Sequence, residues 1–584
     1  MSSLQKRRGP NVELEALVFL FGIIAVVVLH GMMWLAASWG GGPTEQPGSN
    51  PLVLGVRLMI GDYRWPGTAA TVLLCLQVAA LLIVAVVGWR VFARFRGERE
   101  RIDRADRHLA TSRELHASTT AGVTRTATKL GVPQGTTPGV FIGRAIRGDQ
   151  ELWGSWEDMH VDIWGPRTGK TATRAIPNIV AAPGAVVVTS NKRDVVDATR
   201  AIREDKGTVY IFDPQNQAGG KPVFWWNPLT YVGDSIVSAV KLAGRFVSVN
   251  RQSHARSDAY FEPAAQDLFA NLLLAASIDK RPITQVYVWL TRPTDDTPVR
   301  ILRDAGHRMP AESVESVIGQ PDRQRAGVYG TAIQMASFLV ADNINEWVTP
   351  GSDPSRPEFD HKAFVRSPSD TLYLLSEETN KIAAPLVMAL TTILAEEADK
   401  YSRVLPNGRL PTPALFVLDE AANVCPWKAL PDKFTHFGSR GVIVMVILQS
   451  WAQGVSVWGE NGMSKLWGAA NVRVYGGGVS DISFLEKLAK SGGSFEPRTT
   501  STSHKFGDHR GISRSSRSEA VLDAADLMSM PRGRAFVQIS GSRPTLVRTV
   551  PWWETEYADR IRESIATHDP SHALPAGVGM AKSR

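Results

Sequence analysis

The sequence predicts an α/β fold: a parallel-sheet domain carrying an all-α insertion and preceded by two transmembrane helices. Three observations predict it. From about Phe141, short β-branched runs alternate with amphipathic stretches, as in parallel sheets whose faces are covered by helices. Between Asp234 and about Ala341 that alternation gives way to helical patterns. Before residue 95, two long uncharged stretches hold nearly all of the excess apolarity of the chain.

The clearest strands are expected at His160–Trp164, Ala185–Thr189, Thr208–Phe212, Thr371–Leu375, Ala414–Leu418, Val442–Leu448 and Val472–Tyr475. Several are continuously apolar, as strands buried on both faces must be. Helices are expected at Phe261–Ser277 and Arg325–Asp342, with a shorter strand or helix at Gln285–Leu290. Residues 139–233 and 343–555 therefore form the α/β domain, and 234–342 its insertion. Residues 96–138 read as a charged helix running into a Thr-, Gly- and Pro-rich linker. The polar stretch 493–520 reads as a flexible loop, and 556–584 as a flexible tail.

Residues 1–95 read as a membrane anchor, with spans at about 16–38 and 66–90. Each uncharged stretch exceeds the ~20 apolar residues that cross a bilayer as a helix. Trp34, Trp39, Trp65 and Trp89 lie near their ends, where amphipathic rings favour the headgroup layer. A cleaved signal peptide is the alternative for the first stretch, but no small-x-small cleavage site follows it and a second stretch does. Lys6, Arg7 and Arg8 precede the first, and arginines from Arg90 to Arg107 follow the second. The short loop between offers only Arg57 and Arg64. The basic bias places both termini, and the α/β domain, in the cytoplasm. Two cysteines, Cys75 and Cys425, imply no disulfide framework. The net charge of +8 rests partly on those arginines, so it is weak evidence for a nucleic-acid partner.

The strongest chemical signal is His160-Val-Asp-Ile-Trp-Gly-Pro-Arg-Thr-Gly-Lys-Thr171, a strand running into a loop that opens a helix. Backbone N–H groups at such a turn point at phosphate oxygens, and the helix dipole favours their charge. Gly165, Pro166, Arg167, Thr168, Gly169, Lys170 and Thr171 are thus candidate nucleotide-binding residues for ATP and Mg²⁺. Lys170 would reach the β- and γ-phosphates and the Thr171 hydroxyl would hold Mg²⁺. The G-x-x-x-x-G-K-[ST] pattern requires glycine where Trp164 stands; Gly165 is one residue late. Either the loop is one residue tighter, or Trp164 takes the first position.

Downstream, Ala414-Leu-Phe-Val-Leu-Asp-Glu420 is an apolar strand ending in adjacent carboxylates. Asp419 would bind Mg²⁺ and Glu420 would act as general base on the attacking water. A third apolar strand ends in Gln449, which would sense the γ-phosphate or else cap the next helix.

Together these pieces resemble the type IV coupling proteins, the TraG/TraD-like ATPases of conjugation and type IV secretion. The resemblance extends to Pro177-Asn178, to Val186–Lys192, to Phe212-Asp-Pro214, to Trp226–Leu229 and to Tyr260–Ala265. It extends also to Leu418–Ala421, Leu448–Ser450 and the stretch from Asn471 through Gly493. Asn191 departs from the Asp-x-Lys ending usual in the family. The resemblance implies a RecA-like motor, assembled as a hexameric ring in the cytoplasmic membrane. It would recruit DNA–relaxase complexes or protein substrates to a type IV secretion channel. It also implies an arginine supplied by a neighbouring subunit, for which Arg440, just before the Gln449 strand, is the first candidate and Arg323 and Arg325 the next. Two alternatives stay open: an FtsK-type DNA translocase, and a non-catalytic nucleotide-binding scaffold. The first would bring four spans and a DNA-reading terminal domain, and neither is legible; intact Lys170, Asp419 and Glu420 argue against the second.

Overall fold

Aliphatic β-branched residues dominate the central strands, and burial on both faces is what those side chains demand. The computed structural model describes residues 27–28, 30–40, 47, 50–95, 100–250, 261–496, 498–503, 511–516 and 518–570. The chain forms two units, Met1–Arg99 and Glu100–Arg584.

In the first unit, helices cover Pro51–Met59 and Thr68–Phe95. The expected crossings at 16–38 and 66–90 are not borne out: among the described residues no helix is long and apolar enough to cross a membrane. Most of 16–38 lies outside the described residues. The second expected crossing falls largely within the helix Thr68–Phe95. Along it Val72, Leu76, Leu81, Leu82 and Ile83 are exposed.

In the second unit the strands are β1 Gly139–Ala145, β2 Glu151–Ser155, β3 His160–Ile163, β4 Val186–Ser190, β5 Val209–Phe212, β6 Thr371–Leu375, β7 Ala414–Leu418, β8 Val442–Leu448 and β9 Val472–Tyr475. After them come β10 Ser494–Phe495, β11 Arg498–Ser503, β12 Gly511–Ser516, β13 Glu519–Ala520, β14 Arg534–Ile539 and β15 Thr545–Arg548. Eleven form one sheet in the order β2-β1-β15-β14-β9-β3-β8-β7-β4-β6-β5. From β9 to β5 every pairing is parallel, and the β14, β15, β1 and β2 flank is antiparallel. Each expected strand is present, shifted by one residue at most. The seven side chains of β8 are all buried, each worth roughly 1.5–3 kcal/mol of transfer free energy.

Between β5 and β6 the named elements among the described residues are helices, including Ile236–Asn250, Phe261–Ile278, Thr297–Asp304, Arg308–Ile318 and Asp322–Met335. Gln285–Leu290 falls within a helix, Thr284–Leu290.

Three segments differ from expectation. Of the expected helix at 96–118, residues 96–99 lie outside the described residues and the rest hold two short 3₁₀ segments, Arg101–His108 and Glu114–Ser118; the expected linker holds an α-helix, Thr120–Lys129. The polar stretch 493–520 forms two strand pairs, β10 with β13 and β11 with β12. The expected tail contains a helix, Ala558–His568, docked on helix Asp194–Glu204. There Ile561 is fully buried with Ile176, Val180, Ala198 and Ile202, and the Ser564 hydroxyl donates to the Asp197 carbonyl at 2.6 Å. Ile561→Ala should therefore cost about 2–5 kcal/mol of stability in urea denaturation, whereas a free tail would tolerate it without change.

Candidate active site

The loop between β3 and Lys170 departs from the usual pattern for a reason that lies far along the chain. Trp164 continues the sheet: its N–H donates to the Leu448 carbonyl at 2.9 Å and its ring is 1% exposed. Gly165 then donates to the Gly477 carbonyl at 2.9 Å. A Cβ on Gly165 would stand 2.0 Å from the Gly478 carbonyl oxygen, and one on Gly476 would stand 1.9 Å from the Trp164 ring. The glycine requirement has thus moved one residue along, matched by the Gly476–Gly478 run after β9. Arg167 at φ 60° and Gly169 at φ 98° turn the loop, and the Thr168 hydroxyl closes it on the Gly165 carbonyl at 2.6 Å. The loop runs into a π turn, Thr171–Ala175, and then an α-helix, Ile176–Ala181, in which Pro177 lacks an amide to donate backward.

Beneath the loop lies a buried charge pair. Asp162, within the buried strand β3, accepts from Arg174 Nε at 2.6 Å, and both side chains are fully buried. Arg174 also donates to the Phe141 carbonyl and approaches His160 Nδ1 at 3.3 Å. Asn178 binds the Phe141 N–H and carbonyl at 2.7 and 3.1 Å. Burial, reinforced by the Arg174 charge, holds His160 neutral by pulling its pKa far below the usual value. This network joins β1, β3 and the first helix after the loop. An aspartate inside a continuously buried strand is its sequence signal, because a buried carboxylate needs a partner.

The catalytic candidates converge at the edge where the parallel strands end. Lys170 Nζ stands 3.0 Å from Asp419 Oδ1 and also bonds Glu420 Oε1. The Thr171 hydroxyl is 3.4 Å from Asp419 Oδ2, and Gln449 Nε2 donates to Glu420 Oε1 at 2.7 Å. Both carboxylates are 3% exposed. Burial raises the Asp419 pKa, opposed by Lys170; burial would lower that of Lys170, but Asp419 and Glu420 overcome it and hold the ammonium charged. Glu420 sits in the left-handed region at φ 54°, a conformation a non-glycine residue keeps only when its surroundings enforce it. Its Oε1 is engaged twice, while its buried Oε2 has no hydrogen-bond partner among the described residues. A hydroxyl and a carboxylate oxygen side by side suit Mg²⁺, which takes few protein oxygens and completes its shell with phosphates and water.

Arg440 is not brought to this cluster. It precedes the N-terminal end of β8 while Gln449 follows the C-terminal end, so a seven-residue strand of roughly 23 Å separates them. There it donates to the Gly408 carbonyl at 3.1 Å and lies 3.6 Å from Asp399. Lying just before the strand that ends in Gln449 thus puts Arg440 at the end away from its own site. Arg325 belongs to the insertion, where it pairs with Asp322, and Arg323 shares its helix.

Gly165→Ala should push the loop off Gly478. The expected result is a loss of roughly 1–3 kcal/mol of stability together with weakened binding of a fluorescent ATP analogue. Arg174→Met should cost about 3–5 kcal/mol by leaving Asp162 charged and alone, and Asp162→Leu added to it should recover most of the loss in the same urea titration.

Residues 413–532 match the family described as the TraM recognition site of TraD and TraG. Among solved structures, the unbound monoclinic form of the bacterial conjugative coupling protein TrwBdeltaN70 is 16% identical, over 75% of this chain and 92% of that one, with a TM-score of 0.52. Plasmid coupling protein TrwB in complex with ADP and Mg²⁺ is 16% identical over 68% and 86%, with a TM-score of 0.47. VirB4 of Thermoanaerobacter pseudethanolicus is 12% identical over 74% and 99%, with a TM-score of 0.43. A comparison with proteins of curated function found no match. The family match spans β7, β8 and β9, and with the fold shared with TrwBdeltaN70 it bears out the resemblance read from the sequence, that of a type IV coupling protein.

Proposed function

We propose that this chain is a Mg²⁺-dependent ATPase acting as a coupling protein: it gathers DNA–relaxase complexes or protein substrates at a type IV secretion channel and drives their transfer. One observation carries the enzymatic part. Lys170, Asp419, Glu420 and Gln449 meet at three neighbouring strand ends, with one carboxylate oxygen of Glu420 left unpartnered.

In this reading the loop amides and Lys170 bind the triphosphate, and Lys170 exchanges carboxylate contacts for phosphate oxygens. Thr171 and Asp419 hold Mg²⁺, which offsets charge on the phosphates. Gln449 keeps Glu420 Oε1 occupied, so that Oε2 takes the proton of the attacking water. The water oxygen bonds to the γ-phosphorus as the bridge to the β-phosphate breaks, leaving ADP and phosphate. Because Arg440 stands at the far end of β8 from its own site, any catalytic role for it would be in a neighbouring subunit of a ring. The exposed apolar side chains along Thr68–Phe95 support membrane association of the N-terminal unit. The match over 413–532 and the coupling-protein fold support the transport role.

The test is ATP turnover by the full chain in detergent or lipid. Lys170→Ala should lower it by ~10²-fold or more through lost phosphate stabilisation. Glu420→Gln should bind ATP normally yet hydrolyse it ~10²–10⁴-fold more slowly. Equal turnover by wild type and Glu420→Gln would remove Glu420 as the base, and an inactive wild type that still binds ATP would favour the scaffold.

A further inference from the structure

The edge that holds Lys170 and Glu420 carries a third carboxylate which the proposed reaction leaves unused. Glu378 lies three residues beyond β6. Its Oε2 accepts from Asn191 Nδ2 at 3.3 Å and its Oε1 from Asn423 Nδ2 at 2.8 Å. Asn191 directly follows β4, and Asn423 belongs to the short helix Ala421–Val424 that begins right after Glu420. Strands β7, β4 and β6 are consecutive neighbours in the sheet. One side chain thus ties three adjacent strand ends together at the catalytic edge.

The turn that Glu378 reaches is the one that sets Glu420. The Asn423 N–H donates to the Glu420 carbonyl at 2.8 Å, so the same residue is fixed by Glu378 at its side chain and by Glu420 at its backbone. Glu420 holds a left-handed conformation, and the angle of its carboxylate depends on how firmly that turn is clamped. The loop bearing Glu378 is itself anchored: Gln215 accepts from the Glu377 N–H at 2.9 Å and donates to the Asn380 carbonyl at 2.7 Å. Glu378 is exposed and both asparagines are half-buried. Hydrogen bonds of that kind contribute little to global stability, but a charged acceptor shared by two amides is directional. The geometry also accounts for the amide at 191, since a carboxylate there would face the carboxylate of Glu378.

We infer that Glu378 is a positioning residue for hydrolysis, holding the Glu420 turn through Asn423 and locking it to the end of β4 through Asn191. This rests on the reading of Glu420 as general base.

A swap of chemistry tests it in the full chain. Glu378→Ala removes both acceptor oxygens, and Asn191→Asp sets two carboxylates face to face. Glu378→Gln alone keeps both bonds, because the Asn191 amide can turn its oxygen toward the new NH₂. Added to Asn191→Asp, the new amide at 378 accepts from Asn423 and donates to the new carboxylate at 191, restoring both hydrogen bonds. Glu378→Ala and Asn191→Asp should each lower kcat for ATP about fivefold or more, and Asn191→Asp with Glu378→Gln should return to within about twofold of wild type. ATP affinity and the thermal midpoint should stay unchanged throughout, which a general structural defect would not permit. Unaltered kcat in Glu378→Ala and Asn191→Asp, or a double variant as slow as Asn191→Asp alone, would overturn the inference. Glu420→Gln measured in parallel separates the two levels: a slow Glu420→Gln beside unaffected Glu378→Ala and Asn191→Asp sinks this inference alone, whereas a Glu420→Gln with wild-type turnover sinks the general-base reading and this one with it.

Discussion

The whole site depends on the registered pairing of three parallel strands. β3 pairs with β8 so that Ile163 faces Leu448, and β8 pairs with β7 so that Leu418 faces Val446. With those registers fixed, the chain leaves each strand at the same edge, and Lys170 meets carboxylates some 250 positions away in sequence. A one-residue slip of any of the three would turn its side chains to the opposite face and carry its terminal polar group away from the others. The apolar burial of β7 and β8 is what makes such a slip costly, so the core acts on the chemistry through alignment.

Charges buried beneath this edge add a second constraint. Asp162 and Arg174 are costly to desolvate singly and tolerable only as a pair with their remaining hydrogen bonds filled. The pair joins the strand before the phosphate loop to the helix after it, so the loop is held at both ends by one interaction. Lys170 with Asp419 and Glu420 differs in kind. That cluster remains slightly solvent-accessible, and its members have partners that phosphate and Mg²⁺ could replace. One pair serves as scaffold and the other cluster is poised for exchange.

Much of the fold was legible because parallel strands write themselves locally: Ala414–Leu418 and Val442–Leu448 are unbroken apolar runs, and each ends in the polar group that marks the edge. The loop was legible only in part. Trp164 looks like a defect until Gly476 and Gly478 are seen to supply the close approach, and no local pattern connects positions some 300 residues apart. Arg440 precedes β8, so chain order alone puts it at the strand's N-terminal end, away from Gln449. The β11–β12 pair gave no signal because Ser and Thr on both faces leave no apolar alternation. The Ala558–His568 helix docks through few apolar contacts, with Ile561 at their centre, too sparse a pattern to announce a buried face. The link from Glu378 to Asn191 and Asn423 joins three loops and is visible only in three dimensions.

The central claim is that these strand ends form one site for Mg²⁺ and ATP. The most direct measurement is an experimental structure of the full chain with Mg²⁺ and a non-hydrolysable ATP analogue. The account predicts Lys170 Nζ shifted from Asp419 and Glu420 onto the terminal phosphates, Mg²⁺ on the Thr171 hydroxyl beside Asp419, and Glu420 Oε2 facing the side of the γ-phosphate opposite its bond to the β-phosphate. An analogue bound elsewhere, or bound at the loop with Lys170 still held by the two carboxylates, would contradict it.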